Sequence, residues 1–352
     1  MSQLNIFTRL SPARPTLVYD TYWRFAARRQ EVFFRRFHGT TPPWTSDPIL
    51  AEYKFTNAYR ACDRTSQYLI SNVLYRGDQS PREVFFRCIL FKIFNRQSTW
   101  EFLESALGEV RFSTFSITRY DELLREAREH GIRIFSAAYI MPSRAAEFSE
   151  SAKHRNYLGL LTRMMTDDVP DKLGQLTSMA DAFGLFRSYP LFGNFLAYQF
   201  VTDINYSTLT NFSEMEFVMP GPGARDGIRK CFATLGDLGE SDIVRFVADR
   251  QDREFSRLGL DFQSLWGRPL QLIDCQNLFC EVDKYARLAH PEIKGISGRT
   301  RIKQKFAPIS QPVHIWFPPK WGLNELVVKD VKDPMVSEAV VVHKDPVRRS
   351  CE

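Results

Sequence analysis

The chain has 352 residues, 44% hydrophobic and 14% aromatic, enough to bury one large core or two intimate ones. No apolar run nears the roughly 20 residues that span a bilayer, and no secretory leader is read, so the expected location is cytoplasmic. The formal charge of +6 is moderate, and six cysteines without a CxxC pair point to reduced, buried thiols rather than zinc ligands.

Residues 1–48 read as an irregular basic arm around one helix near 20–37, ended by the turn-rich stretch Thr40–Pro48. This arm carries Arg9, Arg14, Arg24, Arg28, Arg29, Arg35 and Arg36 against Asp20 and Glu31. From Glu52 to Leu74 apolar residues recur at helical spacing (Phe55, Tyr59, Cys62, Leu69, Ile70, Val73), which predicts a helix. Pro81, a good first-turn residue, opens a second helix that runs through Phe94. Further helices are predicted over 99–108, 118–130, 155–166, 175–187 and 195–204. After a Gly-Pro-Gly turn come helices near 224–235, 240–255 and 274–289. Residues 291–325 are basic and rich in Pro and Gly, and a short β-prone tail follows. The second basic cluster, Arg287, Lys294, Arg299, Arg301, Lys303 and Lys305, faces only Glu292. Two such clusters either converge on one polyanion or lie on separate solvated surfaces. The expected class is mainly α, with a basic N-terminal arm (1–48), a helical domain (49–290) and a basic C-terminal extension (291–352).

Four sets of residues bear chemistry. The turn Gly221–Ala224 fits a helix–hairpin–helix near 215–235, in which the amides of Gly221, Gly223 and Ala224 and the helix dipole hold a phosphate. An ordinary tight turn fits it as well. No Gly-Lys-Ser/Thr closes it, which argues against an autonomous P-loop kinase. Asp274 heads a helix behind Leu270, Leu272 and Ile273. It either caps that helix or does chemistry as a desolvated acid that stabilises positive charge on a sugar. Asn277 and Glu281 share its face; Lys284 is either a phosphate contact or an intrahelical partner of Glu281 or Asp283, and Arg287 is a further candidate phosphate contact. Tyr198, Gln199, Asp203 and Asn205 are polar groups in an apolar run, expensive to bury without partners and suited to reading a base edge. Asn57, Arg60, Asp63 and Arg64 form a fourth set, with Arg60–Asp63 or Arg64–Asp63 as candidate ion pairs. Lys92, Asn95 and Trp100 are equally ambiguous. The histidines show no metal-ligand spacing, and neither metal nor organic cofactor is indicated.

Six stretches, in order over about residues 50–290, resemble one family. They are KFTNAYRACDRTSQYLI at 54–70, FFRCILFKIFN at 85–95, TW at 99–100, FGNFLAYQFVTDINYS at 192–207, FVMPGPGARDGI at 217–228 and LIDCQNLFCEVDKYAR at 272–287. The family is the helical domain of phage hydroxymethyluracil-DNA kinases and glutamyl/putrescinyl-thymine pyrophosphorylases, held to be a distant branch of helix–hairpin–helix DNA glycosylases. Some of its members excise glucosylated hydroxymethylcytosine from phage DNA. The resemblance implies a glycosylase-like helical fold, double-stranded DNA with modified bases as partner, and no membrane or obligate protein partner. It places the hairpin on Gly221 and Gly223 and the catalytic aspartate on Asp274, with Asp203 in reserve. Arg225 stands where a Schiff-base lysine would, which implies a monofunctional, water-using enzyme. The expectation is therefore an antiviral DNA N-glycosylase, a hydrolase that flips a modified base and reads it with Tyr198, Gln199, Asp203, Asn205, Asn57 and Asn277. Two further readings stay open: an enzyme of thymine hypermodification acting on (pyro)phosphorylated hydroxymethyluracil in DNA, and a non-catalytic reader of modified DNA.

Overall fold

The computed structural model describes residues 11–137, 141–143, 145–308 and 313–332, and it is mainly helical. Its helices in chain order are α1 (Leu17–Phe37), α2 (Pro48–Glu52), α3 (Arg64–Tyr68), α4 (Pro81–Phe94), α5 (Gln97–Leu107), α6 (Ile117–Glu129), α7 (Lys153–Thr166) and α8 (Val169–Gln175). They continue with α9 (Met179–Arg187), α10 (Asn194–Ile204), α11 (Pro222–Cys231), α12 (Glu240–Asp249), α13 (Gln251–Arg257), α14 (Leu272–Ala289) and α15 (Asn324–Lys332). One small antiparallel ribbon pairs β1 (Arg14–Pro15) with β2 (Phe232–Thr234). Among the described residues no helix is long and apolar enough to cross a membrane.

Two helices organise the interior. α4 is buried on every side, with Val84, Phe85, Phe86, Ile89, Leu90 and Ile93 in the core and Glu83, Arg87 and Lys92 buried beside them, as expected of a helix surrounded by others. It packs against α7, α8 and α10. α14 is the second axis, flanked by α1, α11 and α12. Its approach to α11 is the closest in the fold. A Cβ on Gly227 would overlap the carbonyl oxygen of Phe279, and one on Gly223 would come within 3.2 Å of Cys280 Sγ. The pair is also tied by charge, since the buried Lys230 Nζ lies 2.9 Å from Asp283 Oδ1. α1 is no arm: Tyr22, Trp23 and Phe25 are buried, and Tyr22 stacks on Phe279 of α14. Thr16 caps it, accepting from the Val18 N–H and donating 2.5 Å to the Lys230 carbonyl.

Four expected elements differ. The helix read over 52–74 is broken: residues 54–59 are irregular, Arg60–Cys62 is a single 3-10 turn, and α3 passes into a π-helical turn at Leu69–Leu74. The β-prone tail is partly helix α15, whose Val327 and Asp330 face inward after the buried Leu323; residues 333–352 lie outside the described region. Residues 224–235 divide into the end of α11 and strand β2. No short hairpin joins two helices at Gly221, because α10 ends at Ile204 and the irregular segment 205–221 intervenes.

The tight crossing gives a direct test. Gly227→Ala should destabilise the protein by about 2–3 kcal/mol, because the methyl must displace helix backbone rather than a side chain. Urea unfolding would measure it; Gly174→Ala, where nothing lies within 4 Å, is the control expected to be neutral or stabilising.

Candidate functional site

The irregular segment 53–63 crosses the interior between α1, α10 and α14, and its backbone amides are held by remote groups. Thr56 N–H donates 3.0 Å to Glu281 Oε2, Asn57 N–H 2.8 Å to Asp63 Oδ1, and Arg60 N–H 2.8 Å to Asp274 Oδ1. Lys54 N–H reaches the Gln304 carbonyl at 3.0 Å. Donors committed to carboxylates cannot close i→i−4 bonds, which is why helical spacing does not become helix here. Asp274 and Glu281 stand two turns apart on one face of α14 and act as paired supports.

Asp274 is buried and has a second duty. Its Oδ2 accepts from the Gln271 N–H at 3.0 Å, the return half of a capping box at the third helical position. Burial pushes its carboxyl up to about 7, against the pull of the Gln271 and Arg60 amides. The half-buried Asp63 is likewise pushed up to about 7, by burial first and by Glu281 after it, with the Asn57 amide opposing.

The Arg60 side chain leads to a charge cluster. Its Nη1 lies 2.7 Å from Asp203 Oδ1, and Lys92 Nζ lies 2.5 Å from Asp203 Oδ2; all three residues are buried. Burial raises the Asp203 carboxyl, but the two cations outweigh it and hold it below the usual range. Arg60 also donates to Gln199 Oε1 at 3.2 Å and to the Tyr206 hydroxyl at 3.1 Å. Gln199 in turn approaches Gln276 Oε1 at 3.5 Å. Beyond Tyr206, Arg268 pairs with Glu214 at 2.8 Å and stacks 3.9 Å from the Trp321 ring centroid. Lys320 donates to the carbonyls of Asn205, Ser207 and Thr210 at 2.5, 2.9 and 2.6 Å. Burial lowers that ammonium to about 8. Residues 316–321 therefore pack on the helices.

The expected site residues are brought together in part. Asp274, Gln199 and Asp203 join one network through Arg60, whose partner is Asp203 rather than Asp63. Asn205 binds Thr210 and Phe212 and shapes a turn. Tyr198 is wholly buried against Phe217. Asn57 Nδ2 donates to the Cys62 carbonyl, and Asn277 Nδ2 to Thr56 Oγ1. Lys284 pairs with Glu281 at 2.6 Å over the Phe55 ring, and Arg287 is committed to Asp283 and the Arg301 carbonyl. Gly221 and Gly223 answer packing against Phe195 and Cys280, while Ala224 is buried in the first turn of α11. Arg225 pairs with Glu240 at 2.7 Å. Among the described residues no group of three or more His, Cys, Asp or Glu side chains is placed to hold a metal.

What sequence reasoning missed is a cavity of about 170 Å³ between α1, residues 42–55 and residues 306–308. Arg29 and Arg36 line it together with Trp44, Tyr53, Phe55 and Phe306. The signal was present: both arginines continue the apolar stripe Tyr22–Phe25–Val32 of α1 at steps of three and four. Pairing of Lys54 with Gln304, Tyr53 with Lys305 and Glu52 with Phe306 brings the second basic cluster to this same place. Lys305 of the second cluster thus lies beside the wall that Arg29 and Arg36 of the first help to form.

Comparison with known proteins gives the family. Residues 16–295 match the model described as 5-hmdU DNA kinase, helical domain, and the chain belongs to that family. A curated relative, the 5-hmdU DNA kinase of Bacillus phage SP10, is 28% identical over 306 residues, covering 80% of this chain and 47% of the relative. The chain thus spans about half the length of the curated relative it matches. No solved structure matches it. These findings overturn the expected enzyme class: the relative is a kinase, which transfers a phosphoryl group, not a hydrolase of N-glycosyl bonds. In this structure both Asp274 oxygens accept from backbone amides.

Two outcomes are expected. Asp203→Asn removes the charge that Arg60 and Lys92 share and should cost about 3–5 kcal/mol in chemical denaturation. For Asp274, a folded value of about 7, above the ordinary carboxylate range, means that its contribution is present at low pH and lost as pH rises through that value. The Tm of Asp274→Asn should therefore gain on that of the native protein between about pH 4 and pH 8. A gap independent of pH would show that the carboxylate is not strained by burial.

Proposed function

We propose that this chain binds DNA and takes part in group transfer at the 5-hydroxymethyl substituent of a uracil in it, either adding phosphate there or displacing it. The family membership supports DNA as the substrate. The observation that carries the reading is the approach of the basic segment 294–305 to the wall that holds Arg29 and Arg36. Lys294, Arg299, Arg301 and Lys303 are exposed on a segment that runs into the wall of the Arg29–Arg36 cavity. Such a surface neutralises phosphates and orients the strand, while the base is read elsewhere. Arg60 and Lys92 are less suited to a leaving phosphate, because Asp203 already balances them.

The triple variant Arg299→Glu, Arg301→Glu, Lys303→Glu tests the surface. It should weaken duplex binding at least tenfold and flatten the log K against log salt slope by about one for each phosphate no longer neutralised. Binding to DNA carrying thymine, 5-hydroxymethyluracil or its phosphate ester should then rank the modified bases first. Incubation with these DNAs, ATP and a primary amine should change the 5-substituent or release phosphate, with no free base and no alkali-labile site. Unchanged DNA affinity in the triple variant would reject the proposed surface, and an untouched 5-substituent would reject the transfer.

A further inference from the structure

The Arg29–Arg36 cavity joins a buried guanidinium, a second arginine and an aromatic wall. Arg29 is only 8% exposed, and its Nη1 finds no hydrogen-bond partner among the described residues. A guanidinium nitrogen is expensive to bury without a partner, so a fold that keeps one has a use for it. Arg36 stands beside it, its guanidinium carbon 5.1 Å from the Trp44 ring centroid. Among the described residues the wall holds two arginines and no carboxylate. Asp63 and Glu281, outside the wall, lie close enough to offset part of the Arg29 charge. Tyr53, Phe55 and Phe306 complete an aromatic enclosure, and the rim is exposed at Pro42, Pro43 and Pro308.

We infer that this cavity binds a phosphorylated pyrimidine, its ring among the aromatic side chains and its phosphate on Arg29 and Arg36. Each half of the ligand answers one half of the lining. Guanidinium groups hold phosphate oxygens through paired N–H donors, and aromatic faces take any flat base. The volume of about 170 Å³ is below the roughly 300–1,000 Å³ usual for small-molecule pockets, so it suits one base and one phosphate rather than a dinucleotide. The source of the ligand, a base turned out of DNA or a free compound, rests on the function proposed above; the chemistry of the cavity does not.

The test is calorimetric titration of the whole chain with three probes: the phosphate ester of 5-hydroxymethyluracil as the free base, uncharged 5-hydroxymethyluracil, and inorganic phosphate. The ester should bind at least tenfold more tightly than either fragment. Arg36→Gln, at a half-exposed position, should weaken the ester at least tenfold and leave the uncharged base unaffected. Arg29→Met fills the same space without charge. It should abolish preference for the ester while melting at or above the native temperature, since it removes a buried charge. A variant that melts lower and binds as before would make Arg29 a structural residue and overturn the assignment, as would equal binding of ester and uncharged base. Competition by an oligonucleotide carrying the same modified base separates the two claims. Displacement of the ester supports both; ester binding without displacement keeps the pocket and rejects its use on DNA.

Discussion

Arg60 is gripped from two sides: its amide by the buried carboxylate of Asp274, and its guanidinium by that of Asp203. Both acids come from elements far away in the chain, α14 and α10, so one residue of an irregular segment connects two helical groups. The Lys92 ammonium adds α4 to the same point. Charges this deep are tolerable only as a set, because each alone would forfeit its hydration. The interior can therefore be understood as helices arranged to bring one carboxylate between two cations. Segment 53–63 is the strap that delivers one of them.

This arrangement explains why two acids that look alike differ in state. Asp203 has two cations and is held ionised; Asp274 has only amides and sits near its midpoint at neutral pH. A raised carboxyl value marks many active sites, but it is equally what burial does to a structural support. Here both oxygens of Asp274 are spoken for, and its position on α14 serves the strap. Arg29 and Arg36 of α1 are the opposite case: buried or half-buried, next to open volume, with no carboxylate in the described wall around them.

Much of the helical framework was legible, because periodicity, Pro81 at a first turn and Gly or Pro breaks act within a few residues. Segment 53–63 was not, since its helix-like spacing is overruled by acids more than two hundred residues away. The tail after residue 325 was expected to be β-prone, yet Val327 and Asp330 share an inward helical face, and Asp330 meets Trp266 and His38. Partner choice was beyond reach for the same reason: Arg60 had Asp63 nearby in sequence and Asp203 nearby in space. Gly221 and Gly223 drew notice as a phosphate turn, while Gly227, which permits the tightest crossing, follows no local motif. The resemblance located the right family, and the reaction assumed for it was the part that failed.

The crossing at Gly227 has a mechanical consequence. With α11 seated on the Phe279 carbonyl and Lys230 locked to Asp283, α14 cannot slide along its axis without parting backbone from backbone. Asp274 and Glu281 ride on that same rod, so the strap they hold inherits its fixed register. Changes in chain length consequently have room only between the rods, as in 205–221 or 258–271. One residue inserted between Asp274 and Glu281 would rotate one acid off its amide while leaving the other in place.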